Sequence, residues 1–360
     1  MSACLQDASL HLAGTYDNVC LYDLKASSFR NGYHILSSPA SRDLLAHPEV
    51  VGYASYLSLL PATSAALRYL TEKGLQPDVD ILTILRGGLN YPVEEACYES
   101  GIRVRDMHFV SCERIIRDHV ITGLEIKYEK LTLTRGRTLV IGDILATGDT
   151  FRMCFDHIVE RFRKGGGSIR KIVFFTVGGS RAIDLMEEAT PRIKRIFPEF
   201  EGFECFFYEG VFTVYEDTGE TGINVPDIDF GWKGGVVSPD FRWYIMTEPD
   251  ALLEKCIIYD GGARRYEIPL HFNEVIEYWE GIRERAAKID LRALICEKLG
   301  YTAPITFEEW LIVNRFGPLY DLRELWNAEL DLIRKAGELD LEEVACRRIA
   351  AIQTIQKQYE

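Results

Sequence analysis

Two periodicities alternate through the middle of the chain. VDILTIL (79–85) is an unbroken apolar run of strand length, and RGGLN after it is a loop. YPVEEACYESG (91–101) is helical in pattern, with Pro92 tolerated in the first turn. IRVRDMHFV (102–110) reads as a strand. TLVIG (138–142) is a short buried strand, after which Phe151, Phe155, Ile158, Val159 and Phe162 fall on one helical face. GGG (165–167) ends that helix, and KIVFFTV (171–177) is the next strand. Strand, amphipathic helix, strand at this spacing is a βαβ crossover, the unit that builds parallel sheets. The pattern predicts an α/β core, a parallel twisted sheet flanked by helices.

The flanks read differently. Up to about residue 78 the pattern is mixed. SSPASRDLLAHPEVVGYASYLSL predicts turns and then a helix, and PATSAALRYLTEKG a second helix, from Pro61 to a stop at Gly74. The stretch up to residue 270 carries FECFFYEGVFTVY, further short strands and a glycine-rich aromatic loop at FGWKGGVV. Beyond about residue 271 the pattern is helical only. Thr306 with Glu309, Asp321 with Glu324, and Asp340 with Glu343 have the spacing of helix N-terminal capping boxes. The expected organisation is an α/β domain over 1–270, including a smaller hood region. An all-helical C-terminal extension over 271–360 follows, packed on the core or on another subunit.

Composition narrows the class. The chain has 360 residues, 47% hydrophobic and 27% charged, which is the soluble globular range. Its apolar runs fall short of a membrane span. MSACLQDASLHLAG lacks the basic region and apolar core of a secretory signal. The nine cysteines include no CxxC pair, which favours reduced thiols and a cytoplasmic setting. Cys112, Cys154 and the seven histidines form no pattern of metal ligation or nucleophilic catalysis. A net charge of -14 opposes nucleic acid and anionic lipid at long range. It leaves room for a small anion held by backbone N–H groups and a few Arg or Lys side chains.

At LVIGDILATGDTF (139–151) the apolar strand stops at Gly142 and hands over to the helix through Asp143 and Thr147-Gly148-Asp149-Thr150. Parallel α/β sheets bind ligands at the carboxyl ends of their strands. Backbone N–H groups of residues 143–150, with the unpaired donors of the helix that follows, make an anion site. Thr147 and Thr150 add hydroxyl donors, and Gly148 permits close approach or a positive φ. Asp143 repels phosphate, so its natural partners are sugar hydroxyls or a divalent cation. An anion cradle beside an acid points to a sugar phosphate, with Mg²⁺ as the candidate cation. The bland alternative is a βα turn with a Thr or Asp helix cap. The full eight-residue combination after a clean buried strand favours the phosphate site.

This segment resembles the 5-phosphoribosyl-1-pyrophosphate (PRPP) signature of type I phosphoribosyltransferases. That signature is a hydrophobic strand, two acids, two variable residues, a small residue or acid, and Thr-Gly-x-Thr. Here Gly142 takes the place of the first acid, Asp143 matches the second, and Ala146, Thr147, Gly148, Asp149 and Thr150 match the rest. The resemblance implies that residues 146–150 hold the ribose 5-phosphate and that Asp143 faces the ribose hydroxyls or, indirectly, a metal. It implies Mg²⁺ as cofactor, Asp143 and Arg86 as catalytic residues, and a homodimer.

Arg86-Gly87-Gly88 resembles the family's pyrophosphate loop, which follows the first core strand and often holds a cis peptide. Glycines there expose N–H groups, and Arg86 offers a forked cation. The two loops are then expected to face one another across one sheet edge. The segment between them resembles the family's flexible loop, whose cations Arg114, Arg117, Lys127 and Lys130 would close over the leaving pyrophosphate. A solvated surface hairpin is the alternative for that segment.

Further out, LLAHPEVVGYASYLSLLPATSAALRYL and VPDIDFGWKGGVVSPDFR bear a faint similarity to uracil phosphoribosyltransferases. There Asp229, Phe230, Trp232 and Lys233 would contact the acceptor, or else form a core cluster with two surface charges. Ala146 stands where 6-oxopurine phosphoribosyltransferases usually have an acid, which argues against hypoxanthine or guanine as substrate. The implied activity is phosphoribosyl transfer from PRPP to a nitrogenous acceptor, with no nucleic-acid or membrane partner. The rival is a PRPP-sensing or protein-partner module on the same fold, which Gly142 makes serious. Gly142→Asp is expected to restore a ligand-facing acid.

Overall fold

Six parallel strands form the centre of the molecule. In spatial order they are β3 (Gly32–Ser37), β9 (Gly202–Val214), β8 (Ile169–Gly179), β7 (Arg137–Gly142), β4 (Asp78–Leu85) and β5 (Arg103–Arg117). Antiparallel strands extend this sheet. β2 (Val19–Lys25) and β1 (Ser9–Tyr16) lie beyond β3, β6 (Val120–Lys130) lies beyond β5, and β10 (Phe230–Val237) pairs with the last part of β9. The structure, a computed structural model, describes residues 5–117, 120–146, 148–214, 230–247, 249–254, 263–319 and 321–360.

The helices are α1 (Pro39–Ala46), α2 (Gly52–Leu57), α3 (Leu60–Glu72), α4 (Val93–Glu99), α5 (Asp149–Lys164), α6 (Arg181–Ile196) and α7 (Pro239–Thr247). After them come α8 (Ala263–Tyr266), α9 (Ile268–Arg285), α10 (Leu291–Leu299), α11 (Phe307–Val313), α12 (Arg323–Lys335) and α13 (Leu341–Gln356). Phe151, Phe155, Ile158, Val159 and Phe162 are all buried, so the apolar face read from the sequence is the one α5 turns to the sheet. Phe151 stacks on Phe155 and meets Phe174 of β8 edge-on.

Connection geometry decides where a ligand can sit. From the middle of the sheet the chain steps from β4 through α4 to β5 in one direction, and from β7 through α5 to β8 in the other. Right-handed crossovers in opposite directions put α4 and α5 on opposite faces. The carboxyl ends of β4 and β7 therefore border a crevice at the point where strand order reverses.

The first 37 residues supply three strands that their mixed pattern hides. β3 is buried along nearly its whole length, whereas β1 lies at the sheet margin with few buried positions. A strand with one wet face and an exposed edge needs no continuous apolar run. That edge is covered from far along the chain. Leu10 donates its N–H to the Arg315 carbonyl at 2.8 Å, and Gly317 donates back to the Leu10 carbonyl at 2.9 Å.

The C-terminal helices pack on the core. α9 and α13 form a pair around Phe272, Tyr278, Trp279, Ile282, Leu341, Val344 and Ile352. α10 to α12 deliver Ile295, Leu299, Trp310, Leu325 and Ile333 into the main core. Arg242 of α7 meets Glu329 of α12 in a two-pronged pair at 2.7 and 2.9 Å, both side chains essentially without solvent contact. Tyr301 and Trp310 donate to the same carboxylate at 2.9 and 2.8 Å, which satisfies the buried charge. Thr306 and Glu309 close a reciprocal capping box, whereas Asp340 caps α13 without a return bond from Glu343. Asp321 bonds the Arg323 N–H just ahead of α12.

Candidate functional site

The head of β7 and the loop after β4 interlock. Leu82 pairs with Ile141, so Asp143 and Arg86 leave adjacent strands at the same sheet edge. The Leu85–Arg86 peptide bond is cis, and Gly87–Asn90 form a single 3₁₀ turn. A Cβ on Gly87 would lie 2.1 Å from Asp143 Oδ1, and one on Gly88 would lie 3.1 Å from the Gly142 carbonyl. Both glycines are thus needed for close approach of the two loops.

Asp143 is the buried acid of this junction. Its Oδ1 accepts the Ile144 N–H at 2.8 Å, which holds the carboxylate in a local turn. Burial outweighs that bond and pushes its pKa up to about 7. The Cys112 and Cys154 thiols lie nearby; a hydrogen bond with Cys112 and burial both push the Cys154 thiol up.

Backbone donors of the second loop are divided between two tasks. The Asp143 N–H donates to the Phe175 carbonyl at 3.0 Å, and the Leu145 N–H to Thr176 Oγ1 at 3.1 Å. The N–H groups of Asp143 and Leu145 are therefore tied to β8 and that of Ile144 to the Asp143 carboxylate, so the donors left for an anion begin after residue 145. Gly148 stands at the N-cap of α5 with φ +75°, and α5 has no side-chain cap. Asp149 and Thr150 open the first turn of α5 directly after Gly148, and first-turn N–H groups have no partner within their own helix. Ala146 is buried, and Thr147 lies outside the described residues.

The sequence offered no account of Gly142, and the structure supplies one. A Cβ there would sit 2.3 Å from Tyr91 Cβ, 2.6 Å from Tyr91 Cγ and 3.2 Å from Val93 Cγ2. No side chain fits at 142 while Tyr91 stays in place. Tyr91 belongs to the first loop, is 5% exposed, and accepts the Val177 N–H at its hydroxyl at 3.1 Å. Gly142→Asp therefore cannot place an acid here without displacing Tyr91. The signal available in the sequence was an isolated glycine closing an apolar strand, which marks close approach of other atoms.

The remaining candidates lie elsewhere on the fold. The segment read as a flexible loop is the β5–β6 hairpin, over its described residues. Lys130 pairs with Asp106 at 3.1 Å, toward the amino end of β5, and Lys127 is held by Glu113 and Glu125 at 3.1 and 2.8 Å. Arg114 and Arg117 lie in the outer part of β5. Trp232 packs on Phe241, with the Arg242 guanidinium 5.0 Å from its ring centre, and so joins the hub that docks the C-terminal helices. The Lys233 backbone lies against Gly300. Phe230 opens β10, and Asp229 lies outside the described residues. A cavity of about 400 Å³ between α7 and α12 is lined by Arg42, Asp240, Trp243 and Tyr244, and none of its residues belongs to either loop.

The implied Mg²⁺ finds little to hold it. Asp143 is one buried carboxylate turned onto Gly87 and Ile144, and Tyr91 fills the room of a second. Among the described residues no group of three His, Cys, Asp or Glu side chains could hold a metal ion. The described side chains do not fit a protein-bound divalent cation.

No family model matches the chain, and no curated protein does. Solved structures do show partial similarity. The AQ2163 protein from Aquifex aeolicus is 16% identical with a TM-score of 0.33, over 49% of this chain and 85% of that one. A hypoxanthine phosphoribosyltransferase from Staphylococcus aureus is 13% identical with a TM-score of 0.28, over 44% and 77%. The Trypanosoma cruzi hypoxanthine phosphoribosyl transferase is 12% identical with a TM-score of 0.26, over 58% and 92%. What the chain's own geometry defines is a mixed α/β protein with two glycine-bearing loops meeting at a switch point. None of its described helices is long and apolar enough to cross a membrane.

Proposed function

We propose that the chain binds PRPP across these two loops and transfers its phosphoribosyl group to a nitrogen of a base-like acceptor, releasing pyrophosphate. The contact between Gly87 and the Asp143 carboxylate carries the reading, because it joins an Arg-Gly-Gly turn to a helix-N-terminal phosphate cradle. Arg86 and the N–H groups of Gly87 and Gly88 take the pyrophosphate and neutralise its charge as it leaves C1 with the bonding electron pair. Ala146, Gly148 and the first turn of α5 take the 5-phosphate. Asp143, ionised, accepts a ring hydroxyl and steadies the positive charge that develops on the sugar. The acceptor nitrogen supplies the electron pair of the new C1–N bond. Positioning and electrostatics lower the barrier, with no covalent enzyme intermediate.

A second reading, binding of PRPP without turnover, has its own support. Tyr91 in the room of an acid leaves less negative charge to stabilise the sugar cation. Incubation with PRPP, Mg²⁺ and a panel of bases, followed by pyrophosphate assay, separates the two. Base-dependent release is the expected result. Tight PRPP binding with no release for any base establishes the sensor instead. Failure to bind PRPP, with Thr147→Ala silent, removes both.

A further inference from the structure

The exclusion of an acid at position 142 has a consequence for what the crevice accepts. Tyr91 is immobilised from three sides. Its hydroxyl accepts the Val177 N–H at 3.1 Å, its own N–H donates to the Gly88 carbonyl at 3.4 Å, and its ring lies 6.1 Å from that of Tyr208. It cannot swing away from Gly142 without breaking the contact between the loops. Asp143 is equally constrained, between its bond to Ile144 and the Cα of Gly87. Among the described side chains, Asp143 is thus the carboxylate at this loop junction, and Tyr91 fills the space beside it that an acid at 142 would take.

A buried acceptor discriminates strongly for a hydroxyl, because the analogue lacking it leaves the acceptor unpaired. An aromatic face makes no such demand. Building on the phosphoribosyl reading above, we propose that Tyr91 sets sugar specificity. It reduces recognition to one ring hydroxyl, through Asp143, and makes binding independent of a divalent cation. The ligand class is a pentose 5-phosphate in which one of the two ring hydroxyls is dispensable. Tyr91 acts through the space it fills and is a positioning residue.

Calorimetry with ribose 5-phosphate, 2-deoxyribose 5-phosphate and 3-deoxyribose 5-phosphate, each in Mg²⁺ and in EDTA, tests this directly. One deoxysugar is expected to bind within about threefold of ribose 5-phosphate, and the other to lose roughly ten- to a hundredfold, the worth of one hydrogen bond to a charged group. EDTA is expected to change none of the affinities more than twofold. Tyr91→Phe, which keeps the ring, should leave the pattern intact. The double variant Tyr91→Gly with Gly142→Asp, confirmed folded by its melting transition, should begin to reject the tolerated deoxysugar. An equal loss for both deoxysugars, no loss for either, or a strict Mg²⁺ requirement overturns the proposal. If no pentose phosphate binds at all, the phosphoribosyl reading itself fails, so the two failures are distinguishable.

Discussion

At the scale of single residues, buried carboxylates dominate the chemistry. Asp143 has its pKa raised to about 7 by burial, so the folded state binds its proton more tightly than the unfolded chain does. Between the unfolded pKa near 4 and the folded pKa near 7, rising pH therefore lowers stability. Asp143→Asn keeps the oxygen that accepts from Ile144 and removes the titration. It is expected to raise stability more at pH 8 than at pH 5, the difference being on the order of 2 kcal/mol, read from urea unfolding at both pH values. An equal effect at the two pH values refutes the shift. Glu209 is a second such acid, also pushed up to about 7 by burial, and it sits in β9 with φ +61°. It accepts from Ser37 Oγ at 2.6 Å, the Ser38 N–H at 2.9 Å and Ser238 Oγ at 3.0 Å, and so ties the ends of β3 and β10 together. Glu209→Ala leaves those donors unpaired. It is expected to cost about 3 kcal/mol or more in the same assay, and a loss below 1 kcal/mol would refute this account.

At the scale of elements, the turn from β7 into α5 is set by packing as well as by backbone conformation. Gly148 combines a φ of +75° with a Cβ position only 2.2 Å from Leu185 Cδ1 of α6. Gly148→Ala is expected to destabilise by roughly 1–3 kcal/mol and to weaken phosphate binding by shifting the first turn of α5. Thermal unfolding and phosphate titration read the two effects. An unchanged melting temperature would mean that the turn relaxes freely. The β5–β6 hairpin shows the reverse case. In the sequence its lysines fit either mobile cations or a solvated surface hairpin, and in the structure Lys127 pairs with Glu113 and Glu125 and Lys130 with Asp106. Charge spacing along a strand does not reveal which face or neighbour a lysine meets, because cross-strand register decides it.

At the scale of the whole molecule, the C-terminal helices complete the α/β core. The buried Arg242–Glu329 pair is the clearest tie between the two. Glu329→Ala strands a buried guanidinium and is expected to cost about 3–5 kcal/mol. Arg242→Met combined with Glu329→Gln keeps an oxygen for Tyr301 and Trp310 and should recover more than half of that loss. Urea unfolding of both variants measures it, and no recovery in the double variant would show that packing, not the unpaired charge, is at stake. The sheet edge at β1, covered by residues 315–317, adds a second tie that joins the first strand to a segment some 300 residues away.

The sequence alone determined what depends on local pattern. The βαβ units, the buried face of α5, the helical C-terminal region and the pair of glycine-bearing loops follow from periodicity, turn chemistry and capping, all of which act within a few residues. Tertiary structure decided what depends on distant atoms meeting. Strands β1 to β3 took their place through β3, which pairs with β9 and carries β2 and β1 beyond it. Trp232, in β10, joined the Arg242 hub through Phe241 and Arg242 of α7. Gly142 is the sharpest case: the residue that excludes an acid there is Tyr91, 51 positions earlier. A one-dimensional pattern marks that a position has no room, and only the folded chain identifies the side chain that takes the space.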